Sequence, residues 1–250
     1  MKGLRWLLVV AVCMGWTLPV HAASLTVAAA SSAQEPLTEL IQRFERETGQ
    51  AVRPVFGASG KFVAQITQGA PFDLFFSADD VYPRRLAEAS LAGTPRRYAR
   101  GRLVLWSPIG SPLDVRKGLD VLRAPGLKRL AIANPKLAPY GRAAVEAMRA
   151  AQVAEAVQPK LVLGENVAQT LQFVTSGGAD LGLIPLSMAL SSKLQGRGTY
   201  WLLPATLHAP LDAEAVLLNA TKNRPLAERF LDYCTSSRSA SVWRRYGLAE

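Results

Sequence analysis

Three short stretches carry residue types suited to holding an anion. They are Ala28-Ala29-Ala30-Ser31-Ser32-Ala33, Val55-Phe56-Gly57-Ala58-Ser59-Gly60-Lys61, and Asn134-Pro135 through Pro139-Tyr140-Gly141. Each sets small residues and a hydroxyl where an apolar run gives way to a helical pattern. A strand that turns into a helix leaves backbone N–H groups unpaired and aimed at one spot, which attracts negative charge. Small side chains let a ligand reach that backbone, and each hydroxyl adds a donor. Gly164-Glu165-Asn166-Val167 opens a fourth helix in the same way. Every one of these stretches also reads as a plain helix start. Ser31, Ser32, Ser59 and Asn166 are good N-cap residues, and Tyr140 beside Pro139 suits a packed first turn.

Other chemistries fit less well. Gly60-Lys61 suggests a phosphate loop, but that motif needs Gly where Val55 stands and Ser or Thr where Phe62 stands. A serine hydrolase needs a base, and after removal of a leader the one remaining histidine is His208, in a Pro-flanked stretch with no Gly-x-Ser-x-Gly elbow. Asp79-Asp80 sits where a helix cap belongs. One His and one Cys show no metal-ligand spacing. Cys234 shares a helical face with Ala227, Phe230 and Leu231, which makes it a core residue and leaves no internal disulfide. The residues thus give no catalytic set.

The elements that position these stretches alternate between strand and helix. Strands are expected at 25–29, 51–56, 73–77, 103–106, 129–133, 161–163, 181–185, 200–203 and 213–219. Helices are expected over 37–44, 61–68, from 81, 140–153, 167–174, 225–234 and 240–246. Repeated βα units argue for parallel sheets with helices on both faces. A Pro/Gly-rich connection at Ser107–Pro112 separates two such series, and the run from Leu211 leads back to the first. The expected architecture is α/β in two lobes, with residues 23–105 and 213–250 in one and 106–212 in the other. Ligands of open α/β sheets sit at the carboxyl ends of the strands, so two lobes set two such edges face to face.

Residues 1–22 read as a cleavable export leader. Lys2 and Arg5 precede an apolar run from Trp6 to Trp16, and Val20-His21-Ala22 offers the cleavage site. The mature chain is therefore expected in the periplasm of a Gram-negative source. Cleavage lowers the formal net charge of +10 by two. A basic balance admits nucleic acid, an acidic membrane or an anionic ligand. Export argues against nucleic acid, and the basic residues lie scattered in short pairs such as Arg84-Arg85, so they read as solvated surface.

In this order and spacing the motifs resemble the periplasmic molybdate-binding proteins of ABC transporters, the ModA family. Ala29-Ala30-Ser31-Ser32, Phe56 to Lys61, Gly69 to Asp79, Asn134-Pro135 with Pro139-Tyr140-Gly141, Glu165-Asn166-Val167 and Arg245-Tyr246-Gly247 carry the resemblance, from about Leu25 to Gly247. It implies a two-lobed fold of the type II periplasmic-binding-protein kind, closing over one tetrahedral oxyanion held by N–H groups and hydroxyls. Its implied ligand residues are Ser31, Ser32 and Ser59 on the first lobe, and on the second Tyr140 and, through its N–H, Val167. It implies molybdate or tungstate as ligand, no cofactor and no bare metal cation, a monomer, and an inner-membrane permease and ATPase as partners. One departure stands out: some members have a tyrosine where this chain has Pro185, which offers neither hydroxyl nor N–H. Tyr140 takes that part here, and Lys61 is expected as a surface charge. The alternatives are a receptor for another oxyanion, a sensory protein that docks on a receptor, and an enzyme dependent on His208.

Overall fold

The computed structural model describes residues 24–248; the expected leader lies outside the described residues. The chain runs β1 (Ser24–Ala30), a 3₁₀ turn (Ser31–Ala33), α1 (Gln34–Thr48), β2 (Ala51–Gly57), α2 (Ser59–Thr67), β3 (Leu74–Phe76), α3 (Val81–Glu88) and β4 (Arg96–Gly101). It continues with β5 (Leu103–Pro108), β6 (Leu130–Ala133), α4 (Pro139–Ala150), α5 (Ala154–Val157), β7 (Leu161–Gly164), α6 (Val167–Thr175), β8 (Leu181–Pro185), α7 (Leu186–Ala189) and β9 (Gly198–Leu202). It closes with β10 (Leu211–Leu217), α8 (Arg224–Thr235) and α9 (Ser237–Arg245).

Among the described residues, ten strands form two sheets of five, ordered β2-β1-β3-β10-β4 and β7-β6-β8-β5-β9. In the first sheet β10 alone runs against its neighbours. In the second, β5 alone does. These are the strands that enter each sheet from the other lobe, directly after the two crossings. The other four strands of each sheet point their carboxyl ends at the cleft, where helix N-termini gather.

The sequence pattern is realised through burial on both faces. In β1, Leu25, Val27 and Ala29 pack against α1 and α8, while Ala28 faces Phe62, Phe75 and Leu86. In β5, Leu103 and Leu105 face one side and Val104 and Trp106 the other. Strands buried on both faces read as continuous apolar runs. α1 turns Leu37, Leu40, Ile41 and Phe44 inward and ends at Gly49, whose φ of 69° is the left-handed cap that glycine adopts without strain. Cys234 is fully buried in the same core as Phe230.

The structure departs from expectation at the crossing. β5 lies wholly in the second sheet, so the chain changes lobes at Arg102, before the expected boundary after residue 105. β10 already begins at Leu211. The reason is β4, a strand the pattern does not reveal. Arg96-Arg97-Tyr98-Ala99-Arg100-Gly101 is an edge strand whose arginines pair with acids at the surface: Arg100 with Asp212 at 2.7 Å, and Arg96 with Asp232. Its polarity hides it.

Candidate functional site

One small cavity lies where the two sheets' carboxyl edges meet. Ser31, Ser32, Ser59, Tyr140 and Val167 all line it, together with small residues such as Ala30, Gly57 and Ala78. The cavity is small and partly open to solvent. No charged side chain is among its lining residues.

Four helical starts converge on it: the 3₁₀ turn leading into α1, and α2, α4 and α6. The plain capping reading fails for the serines. The N-cap of α2 is Ala58, and Ser59 is the first helical residue. The residue before α1 is Ala33, which makes no side-chain cap, and Ser31 and Ser32 stand earlier still. Ser31, Ser59 and Val167 each open a helical segment, where the N–H has no acceptor within the helix. Asn166 does cap α6, accepting from Ala168 N at 2.9 Å and Gln169 N at 3.1 Å. That cap satisfies the second and third N–H groups and leaves the first, on Val167, aimed outward.

The hydroxyls are individually held. Ser59 Oγ accepts from Ala78 N at 3.2 Å, which leaves its own proton to donate. Ser31 Oγ donates to the Gly57 carbonyl in a long 3.2 Å bond. The Tyr140 phenol lies next to the Ser32 hydroxyl and the Arg102 backbone N–H. Burial pushes its pKa up, and those two hydrogen bonds offset only part of the rise, so the phenol keeps its proton as a donor. Gly101 makes room for it: a Cβ there would meet the phenol oxygen at 2.2 Å. α4 is seated equally closely, since a Cβ at Gly141 would meet the Ala133 carbonyl oxygen at 2.2 Å.

The other sequence candidates lie elsewhere. Pro185 ends β8, paired with Leu103, outside the cavity lining. His208 lies on the return crossing with Nδ1 2.7 Å from the Ala209 carbonyl oxygen. Lys61 forms an exposed 2.7 Å ion pair with Glu165 of the other lobe. Sequence reasoning missed one feature, the ion pair between buried Asp79 and Arg142 across the cleft. No spacing signals a partner 63 residues away. Among the described residues no group of three or more His, Cys, Asp or Glu side chains is arranged to hold a metal ion. A cavity of neutral donors at helix N-termini, set between the two lobes, can hold a small anion by hydrogen bonds and the helix dipoles, without a countercharge.

Two α/β lobes closed on such a cavity are the build of a solute receptor. Residues 25–249 match the model of the bacterial extracellular solute-binding proteins, and the chain belongs to that family. Within it, the chain is 39% identical to the molybdate-binding protein ModA of Azotobacter vinelandii, over 91% of this chain and 90% of that one. It is 38% identical to the molybdate-binding protein ModA of Rhodobacter capsulatus, over 95% and 92% respectively. Among solved structures it is similar to the periplasmic molybdate-binding protein of A. vinelandii, with a TM-score of 0.84 and 32% identity over 90% of this chain and 99% of that one.

Proposed function

We propose that the protein captures molybdate, and tungstate with it, between its lobes in the periplasm and delivers it to the permease and ATPase of an ABC importer. The observation that carries this reading is the lining of the cavity: Ser31, Ser32, Ser59, Tyr140 and Val167 converge there with no charged side chain. The relatives' names supply the oxyanion. Donation comes from the Ser59 and Tyr140 hydroxyls and the N–H groups of Ser31 and Val167, and from the Ser32 hydroxyl once it turns from the phenol to the anion. Turning the Ser31 hydroxyl away from Gly57 adds one more donor. A tetrahedral dianion is matched by several charge-assisted hydrogen bonds spread over both lobes. Selectivity follows from reach: a smaller tetrahedral anion such as sulfate leaves some donors unpaired, at about 1–3 kcal/mol each. Closure offers the membrane complex a shape that the bound anion favours.

Calorimetry of the exported chain with molybdate, tungstate, sulfate and phosphate tests the reading. Molybdate and tungstate are expected to bind and compete for one site, with sulfate far weaker. Heat from sulfate alone contradicts it.

A further inference from the structure

The lobes also touch through polar contacts outside the donor set. Gly60 N donates to the Leu137 carbonyl at 2.9 Å, and Ser187 Oγ to the Ser32 carbonyl at 2.7 Å. Two ion pairs open to solvent cross as well, Lys61 with Glu165 at 2.7 Å and Lys193 with Glu35 at 3.0 Å, and a third ion pair differs from both in burying its carboxylate. Asp79 is 3% exposed and follows Ala78, whose N–H holds the Ser59 hydroxyl. Within its own lobe Asp79 accepts only from neutral donors, Ser77 Oγ at 2.7 Å and Tyr82 N at 3.3 Å. Its countercharge comes from the other lobe. Arg142 on α4, two residues after Tyr140, pairs with the Asp79 carboxylate, donates to Tyr82 Oη at 3.3 Å, and stands 5.1 Å over the Tyr82 ring.

A carboxylate next to an anion cavity opposes the anion. Arg142 neutralises it only when the lobes meet. We infer that Asp79 and Arg142 form a closure latch, a positioning pair that fixes the Ser59 wall against the Tyr140 wall and ties anion capture to closing of the cleft. When the lobes part, Asp79 loses its cation while keeping its place beside the lobe I donors. Closure restores neutrality and sets both walls at bonding distance of one guest. The two partners are unequal. Closing without Arg142 buries an uncompensated carboxylate, whereas closing without the Asp79 charge leaves Arg142 one-third exposed to water. The latch concerns lobe closure; its effect on affinity rests on the oxyanion reading above.

A double-mutant cycle tests it, with Asp79→Asn, Arg142→Gln and the double variant, each first checked for a wild-type thermal melting profile. Two readouts are taken. Spin labels on Gln68→Cys and Gln158→Cys, exposed positions on opposite lobes, give the closed fraction without any oxyanion. Calorimetry gives the molybdate Kd. Arg142→Gln is expected to lower the closed fraction most and to weaken molybdate at least tenfold. Asp79→Asn is expected to do less, and adding it to Arg142→Gln to recover closed fraction and affinity. Additive losses, or a closed fraction unchanged across all four proteins, overturn the latch. If the wild type does not bind molybdate, the distance readout still decides the latch while the oxyanion reading alone fails.

Discussion

Replacing Ser59 with alanine separates a binding role from a folding role at one atom. Ser59 is 1% exposed, opens α2, and its Oγ accepts from Ala78 N at 3.2 Å. The substitution therefore does two things. It removes a hydroxyl donor from the cavity, and it leaves the Ala78 N–H without its acceptor. A hydrogen bond to a charged partner contributes about 1.5–3 kcal/mol, so molybdate affinity should fall about 10- to 150-fold. The unpaired N–H costs the fold about 1–3 kcal/mol. In a chain of this length that lowers Tm by roughly 2–12 °C. Calorimetry reads the first effect and a thermal melt the second. A Kd within about twofold of wild type, with Tm lowered as expected, would show that the hydroxyl only supports the turn and would refute its assignment as a donor.

Other predictions follow from the same geometry. A methyl group at Gly60 would meet Tyr82 Oη at 2.6 Å and the Leu137 carbonyl oxygen at 2.9 Å. Gly60→Ala should therefore obstruct closure and weaken molybdate by about tenfold or more, since overpacking costs roughly 1–3 kcal/mol; scattering curves of the liganded protein will show the wider cleft. Burial raises the Tyr140 pKa, so the phenol stays a neutral donor where a free tyrosine would ionise, and affinity should hold level as pH rises from about 8 to about 10. A fall in that range, tracked by phenolate absorbance, would show an ordinary phenol. Asn166→Ala removes the α6 cap, so it should cost about 0.5–2 kcal/mol of stability in a denaturant melt, and with Val167 less firmly aimed, weaken binding as well.

Much of the architecture was legible because both faces of most strands are buried. Continuous apolar runs such as Leu181 to Pro185 and helical stripes such as Leu37 to Phe44 are dictated by burial, and burial is what periodicity reports. β4 was not legible, since an edge strand of paired arginines satisfies solvent rather than a core. The crossing at Arg102 was hidden with it. The site divides along the same line. Tyr140 and Val167 are marked by local chemistry, Pro139 before one and Asn166 before the other. For Ser59, cap and ligand donor differ by one residue of helix boundary, finer than a pattern resolves. The Asp79–Arg142 pair joins two lobes by tertiary packing, which leaves no trace in spacing.

In the proposed function, one oxyanion sits between the two walls on neutral donors alone. Anomalous diffraction at the molybdenum edge from crystals of the protein grown with molybdate tests it most directly. A single strong peak enclosed by Ser31, Ser32, Ser59, Tyr140 and Val167 is expected. A peak held by arginine or lysine side chains elsewhere, or none in this cavity, would contradict it.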